Sequence, residues 1–234
     1  MPPIRASEKS REYACYRWVK GSGMPSSKST LWRQQHSGWV GFIALISFFG
    51  SVAPTIAQTT ACDRNATPST FESHLFSATA GQTICLSTGN YGTWTGANKA
   101  ITVRAAPGAT PKMRIKFGSD AHGFTLDGMT GMGGTVSDKA ADIIIRNSQF
   151  TSEIAITSSG AGIVFDGNTH NDISGHSTAA RFYAEGPVTI KNSHLEGGGS
   201  DGVRIATYAT VNVLNNTFLN INEDDSGNHT DMIQ

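Results

Sequence analysis

The sequence predicts an all-β chain, a right-handed single-stranded parallel β-helix in which short strands wind into stacked coils, with a short N-terminal capping helix. Three observations predict it. First, a pattern of apolar, any, apolar, polar, then small or Asn recurs six times, starting at Ile101, Phe124, Ile143, Ile163, Val188 and Val211. Second, these starts lie 23, 19, 20, 25 and 23 residues apart, with no long amphipathic helix between them, which is the signature of a β-solenoid. Third, the 26 glycines suit a fold full of tight turns.

The chain begins with a basic stretch. Residues 1–57 carry seven Lys or Arg and only Glu8 and Glu12 as acids. Lys28 and Arg33 precede the uncharged run Gly38–Ala53, and small residues follow up to Ala57. This order of charged, apolar and small segments predicts an export signal over 1–57, cleaved near Ala57, with Met24 as an alternative start. The apolar core is shorter than the roughly 20 residues a membrane span needs, so the mature protein is expected without one, secreted or periplasmic. Residues 58–234 then hold 11 basic and 16 acidic side chains. That acidic balance argues against nucleic acid as a partner. Of the three cysteines, Cys15 lies in the leader, which leaves Cys62 and Cys85 for an expected disulfide.

A cap is expected over 58–80 and the β-helix over 81–234. Ser69-Thr-Phe-Glu72 reads as a capping box, with Phe71 and Leu75 on one face of a short helix that closes the end of the rod. Ala80–Leu86 then reads as a strand and Ser87–Gly92 as a turn. Within each repeat, positions one and three face the core, because strand side chains alternate. Asn147, Asn168, Asn192 and Asn215 or Asn216 fall where the strand ends, and predict a ladder of Asn side chains. Second strands are expected at Ala180-Arg-Phe-Tyr and Val203-Arg-Ile-Ala, followed by a variable connection.

The string AGQTICLSTGNYG followed by Lys99-Ala-Ile-Thr-Val-Arg-Ala resembles the first coils of secreted β-helix proteins of the pectate-lyase-like superfamily, closest to alginate-lyase and chondroitinase-B-like relatives. The likeness spans residues 60–234. It implies a β-helix that acts on acidic polysaccharides along one outer face. The superfamily's catalytic motifs, including its paired lysine and arginine, have no visible counterpart. The string Asn228–Gln234 reads as the start of another coil, so further coils are expected beyond it.

Aligning Asp201-Gly-Val-Arg204 with Asp231-Met-Ile-Gln234 points Val203 and Ile233 inward, and Arg204 and Gln234 outward. The same alignment puts Arg181 in that outer column. Arg181 and Gln234 are thus candidate substrate-binding residues, since Arg grips carboxylates with paired hydrogen bonds. For β-elimination on a uronate, His229 or Arg204 is the candidate base and Asp231 or Asp201 its orienter. Asp201 and Asp231 on neighbouring coils would instead serve glycoside hydrolysis. Glu223-Asp224-Asp225 is a candidate Ca²⁺ ligand set. The expected function is a carbohydrate-active, monomeric protein, a polysaccharide lyase ahead of a hydrolase. The alternative is a non-catalytic carbohydrate-binding or adhesin-like rod.

Overall fold

The computed structural model describes residues 61–171, 181–197, 201–221 and 231–234. In chain order the elements are β1 (Arg64–Ala66), α1 (Phe71–Ser77), β2 (Thr83–Leu86), β3 (Gly89–Trp94), β4 (Thr102–Ala105), β5 (Pro111–Phe117), β6 (Thr125–Asp127), β7 (Met132–Val136) and β8 (Ile144–Arg146). There follow β9 (Gln149–Ile156), β10 (Val164–Asp166), β11 (Thr169–Asn171), β12 (Phe182–Ala184), β13 (Val188–Lys191), β14 (His194–Glu196), β15 (Val203–Ile205), β16 (Val211–Leu214) and β17 (Thr217–Leu219). All pairings between strands are parallel, and they build a β-solenoid of about 7 turns with very little helix. The expected leader over 1–57, the candidate calcium ligands Glu223, Asp224 and Asp225, and His229 lie outside the described residues. No helix among the described residues is long and apolar enough to cross a membrane.

The six sequence repeats become β4, β6, β8, β10, β13 and β16, which follow β1 and β2 in one eight-stranded sheet. Their inward positions stack as expected: Val103, Leu126, Ile145, Phe165 and Ile190 are all fully buried. The second sheet runs β3-β5-β7-β9-β11-β14-β17. β9 is long enough to serve two rows. Phe150 continues into His170, Leu195 and Phe218, while Ile154 continues into Phe182 and Val203. Burial of both rows against the first sheet makes the core.

The first strand end is tied down covalently. Cys62 and Cys85 form a disulfide with Cα atoms 5.6 Å apart. α1 covers the end of the core as expected, with Phe71 and Leu75 buried and Phe71 against Tyr91 and Trp94. Its start differs from the capping box. Thr70, not Ser69, is the N-cap, and its side chain makes no capping bond, because Thr70 Oγ1 accepts the amide of Thr67 instead. The helix is secured at its other end, where Lys99 Nζ donates to the carbonyls of Leu75, Phe76 and Ala78 at 2.9, 2.8 and 3.0 Å. The expected turn over Ser87–Gly92 instead runs into β3 from Gly89, because Trp94 is buried among Phe117 and Phe124 and draws the segment into the sheet.

The Asn ladder also takes another form. Asn147, Asn192 and Asn215 hold left-handed backbone, as Gly128 and Gly167 do at the equivalent turns. The ladder proper is one residue on and alternates Ser with Asn. Asn168 Oδ1 accepts the Ser148 amide at 2.9 Å, and its Nδ2 donates to the Ile145 carbonyl at 3.0 Å. Asn216 does the same for Ser193 and Ile190, while Ser148 and Ser193 accept the amides of Met129 and Asn168. Side chains here satisfy buried backbone groups at the bend rather than one another, because those groups have no strand partner.

Candidate functional site

The solenoid has one corner that varies from coil to coil, between the Phe150 row and the Ile154 row of the second sheet. Met132 and Gly134 on β7 match Phe150 and Ile154 on β9, so β9 carries two extra residues there. Ser152 takes up that excess by folding back over Gly133, where a Cβ would collide with the Ser152 hydroxyl. In the next coils the same two rows are joined through residues 171–181, 196–202 and 219–232. Variable connections on a rigid scaffold are where binding residues concentrate.

Of the candidate residues in the outer column and at its entrance, the described ones, Arg181, Asp201, Arg204, Asp231 and Gln234, flank this corner, but they do not share a face. Asp201 and Asp231 stack as the alignment placed them, with Asp201 Oδ1 accepting the Asp231 amide at 2.9 Å. Asp201 is only 7% exposed. Val203 bridges to Ile233, and Gln234 is exposed beside Arg204. Val203 is buried, whereas Ile233 in the last described coil is 40% exposed.

Arg181 departs from the expectation and is completely buried. The register pairs Tyr183, not Arg181, with Arg204. Strand alternation begins only at Phe182, and Arg181 stands at the corner, where its side chain turns inward. There Nη2 donates to the Glu196 carbonyl at 3.3 Å. Close by, His170 stacks on Phe150 with ring centroids 5.6 Å apart, and its Nε2 lies 3.1 Å from the Ser152 carbonyl. Burial pushes the His170 imidazole down to about 3, helped by the Arg181 charge and opposed by hydrogen bonding to the Ser152 and Arg181 backbone. It is a neutral core histidine. Arg181 and His170 thus form a polar plug inside the core, unavailable to a polymer on the surface.

The outer surface of the second sheet carries charged groups outside the repeated motif. β5 reads Pro-Lys-Met-Arg-Ile-Lys-Phe and alternates buried Pro111, Met113, Ile115 and Phe117 with exposed Lys112, Arg114 and Lys116. None of these three cations has an acidic partner among the described residues. On the first sheet two cations are neutralised: Arg146 meets Asp127 at 3.1 Å and Lys191 meets Asp166 at 3.1 Å. Burial raises Asp166, but Asn192 and Lys191 outweigh it and hold its carboxyl low.

Across the second sheet from β5 come Ser152 and Glu153 on β9, Tyr183 on β12 and Arg204 on β15. From β5 to β15 is four strand steps, about 19 Å. Burial pushes the half-buried Glu153 carboxyl up, and the Arg204 charge partly offsets this. The Tyr183 hydroxyl donates to Glu185 at 2.7 Å, and that bond leads in raising its pKa. Tyr183 is therefore a hydrogen-bonding group here, not a base. The strict alternation in residues 111–117 was the one sequence signal for this face.

Among the described residues, no group of three or more His, Cys, Asp or Glu side chains is placed to hold a metal ion. No family model, curated protein or solved structure matches the chain.

Proposed function

We propose that this chain is a carbohydrate-active β-helix protein that works outside the cytoplasm and binds an acidic polysaccharide along the outer face of the second sheet. The observation that carries this reading is the contrast between the two sheets. Salt bridges neutralise Arg146 and Lys191 on the first, while Lys112, Arg114 and Lys116 on the second face solvent without acidic partners among the described residues. Like charges on alternate positions of one strand, about 7 Å apart, repel unless an anion intervenes. The Cys62–Cys85 disulfide fits an oxidising compartment.

A specific observation favours the lyase reading over a passive rod. Glu153 has a raised proton affinity and lies within electrostatic range of Arg204. β-Elimination needs a proton-transferring group and a cation over the uronate carboxylate, and this pair supplies both types. Asp201 is less suited to that work, because its carboxylate already holds the Asp231 backbone.

The test is a panel of polyuronates, sulfated glycans and neutral glycans offered to the full-length secreted protein. Retention on polyuronates that weakens with salt, without retention on neutral glycans, supports binding. New ultraviolet absorbance from unsaturated uronates, lost in Glu153→Gln and Arg204→Ala, supports elimination. Retention on neutral glycans alone overturns the proposal.

A further inference from the structure

We infer that Arg114, pinned by Ser152 across the side-chain-free gap at Gly133, is a preorganised subsite for a single sugar carboxylate. This rests on the polysaccharide reading above and names where on the face a uronate is gripped.

Three features of the geometry point there. Arg114 Nη1 donates to Ser152 Oγ at 3.0 Å, a contact that reaches from β5 over β7 to β9. Such a reach needs an empty position on the intervening strand, and Gly133 provides it. A Cβ at Gly133 would overlap the Ser152 hydroxyl and stand 3.4 Å from Arg114 Nη1. The Ser152 hydroxyl is available because the extra length of β9 folds it back over the glycine.

The consequence is chemical. A guanidinium has five N–H donors, and the serine takes one. Arg114 is exposed, so the others face solvent in a fixed plane, the arrangement that holds a carboxylate with two parallel bonds. An arginine already held in place loses less conformational freedom when ligand arrives. Lys112 and Lys116 flank it on the same strand and add charge without fixed geometry. The Arg146 side chain on the other sheet lacks this freedom, since Asp127 already occupies it.

The experiment is calorimetric titration of the full-length protein with a defined oligouronate, and with the same oligomer after reduction of its carboxyls to neutral alcohols. Wild type should bind the first and not the second. Arg114→Gln should weaken binding by about tenfold or more, the scale of one bidentate charge-assisted contact. Arg114→Lys should recover only a small part, because charge returns without the planar fork. Ser152→Ala, which keeps the arginine but frees it, should weaken binding a few-fold with a larger entropic penalty. Arg146→Gln should bind as wild type does. Thermal melts check that each variant is folded, and Arg114 is exposed enough that its loss should leave the melt unchanged. If wild type binds the oligouronate and Arg114→Gln binds equally well, the subsite is wrong while the wider proposal stands. If wild type binds no polyuronate, both fall. Arg114-dependent binding of a sulfated glycan in place of the oligouronate overturns the assignment to a carboxylate.

Discussion

Replacing Asn168 by Ala should strip the solenoid of two hydrogen bonds and leave both partners stranded inside it. Asn168 is buried, its Oδ1 accepts the Ser148 amide at 2.9 Å, and its Nδ2 donates to the Ile145 carbonyl at 3.0 Å. Each buried polar group left without a partner costs about 1–3 kcal/mol, so the substitution should cost about 2–6 kcal/mol. Asn147→Gly is the informative comparison. Asn147 is exposed with φ of 50°, and its side chain bonds only the half-buried Asp127, which keeps its salt bridge to Arg146. Glycine accepts that backbone freely, so the change should be within about 1 kcal/mol. Asn168→Ser should fall between the two, because Ser148 and Ser193 already fill the equivalent position in other coils. Urea melts give the totals. Native-state hydrogen exchange gives the location, since solenoid stability is partly local and the Ser148 amide should exchange faster in the alanine variant. An Asn168→Ala protein that melts like wild type, with the Ser148 amide still protected, would show that the ladder does not hold the bend.

Lys99→Met should loosen α1 by about 1–3 kcal/mol, since three helix-end carbonyls lose a charged donor, and proteolysis near residues 71–77 should rise. His170 makes stability depend on pH. Its folded value near 3 lies below its unfolded value of 6.5, so the unfolded chain binds the extra proton and stability falls as pH drops from 6.5 toward 3. The loss is at most about 5 kcal/mol. His170→Leu should flatten urea midpoints across that window, and an unchanged pH profile would contradict the assignment. Reduction of Cys62–Cys85, which closes a 23-residue separation, should cost about 3 kcal/mol, read as a lower melting temperature in reductant.

The sequence carried the fold because the solenoid repeats one local rule. Every coil must place apolar residues at positions one and three, so Val103, Leu126, Ile145, Phe165 and Ile190 were identifiable as core before any coordinate. The disulfide followed from cysteine position. What escaped was set by geometry at corners, where alternation fails. Arg181 sits just before Phe182, and no periodicity tells that a residue one step outside a strand turns inward. The two-residue slip that put Arg181 opposite Arg204 came from starting the second strands at Ala180 and Val203, where the sheet matches Phe182 with Val203. Of the expected ladder, Asn168 and Asn216 belong to it, while Asn147 and Asn192 lie one residue before it, for a related reason. Asn147 and Asn168 look alike in sequence, yet one supplies left-handed backbone and the other buried hydrogen bonds. The cations of β5 were visible in the alternation of residues 111–117, but that strand falls outside the repeat that drew attention.

The most direct test of the polysaccharide-binding face is hydrogen–deuterium exchange on the full-length protein with and without a saturating polyuronate. Binding on this face should protect peptides covering residues 112–116, 151–155 and 201–205, with no change at 125–127, 144–146 or 188–191 on the opposite sheet. Protection confined to those first-sheet strands would contradict it.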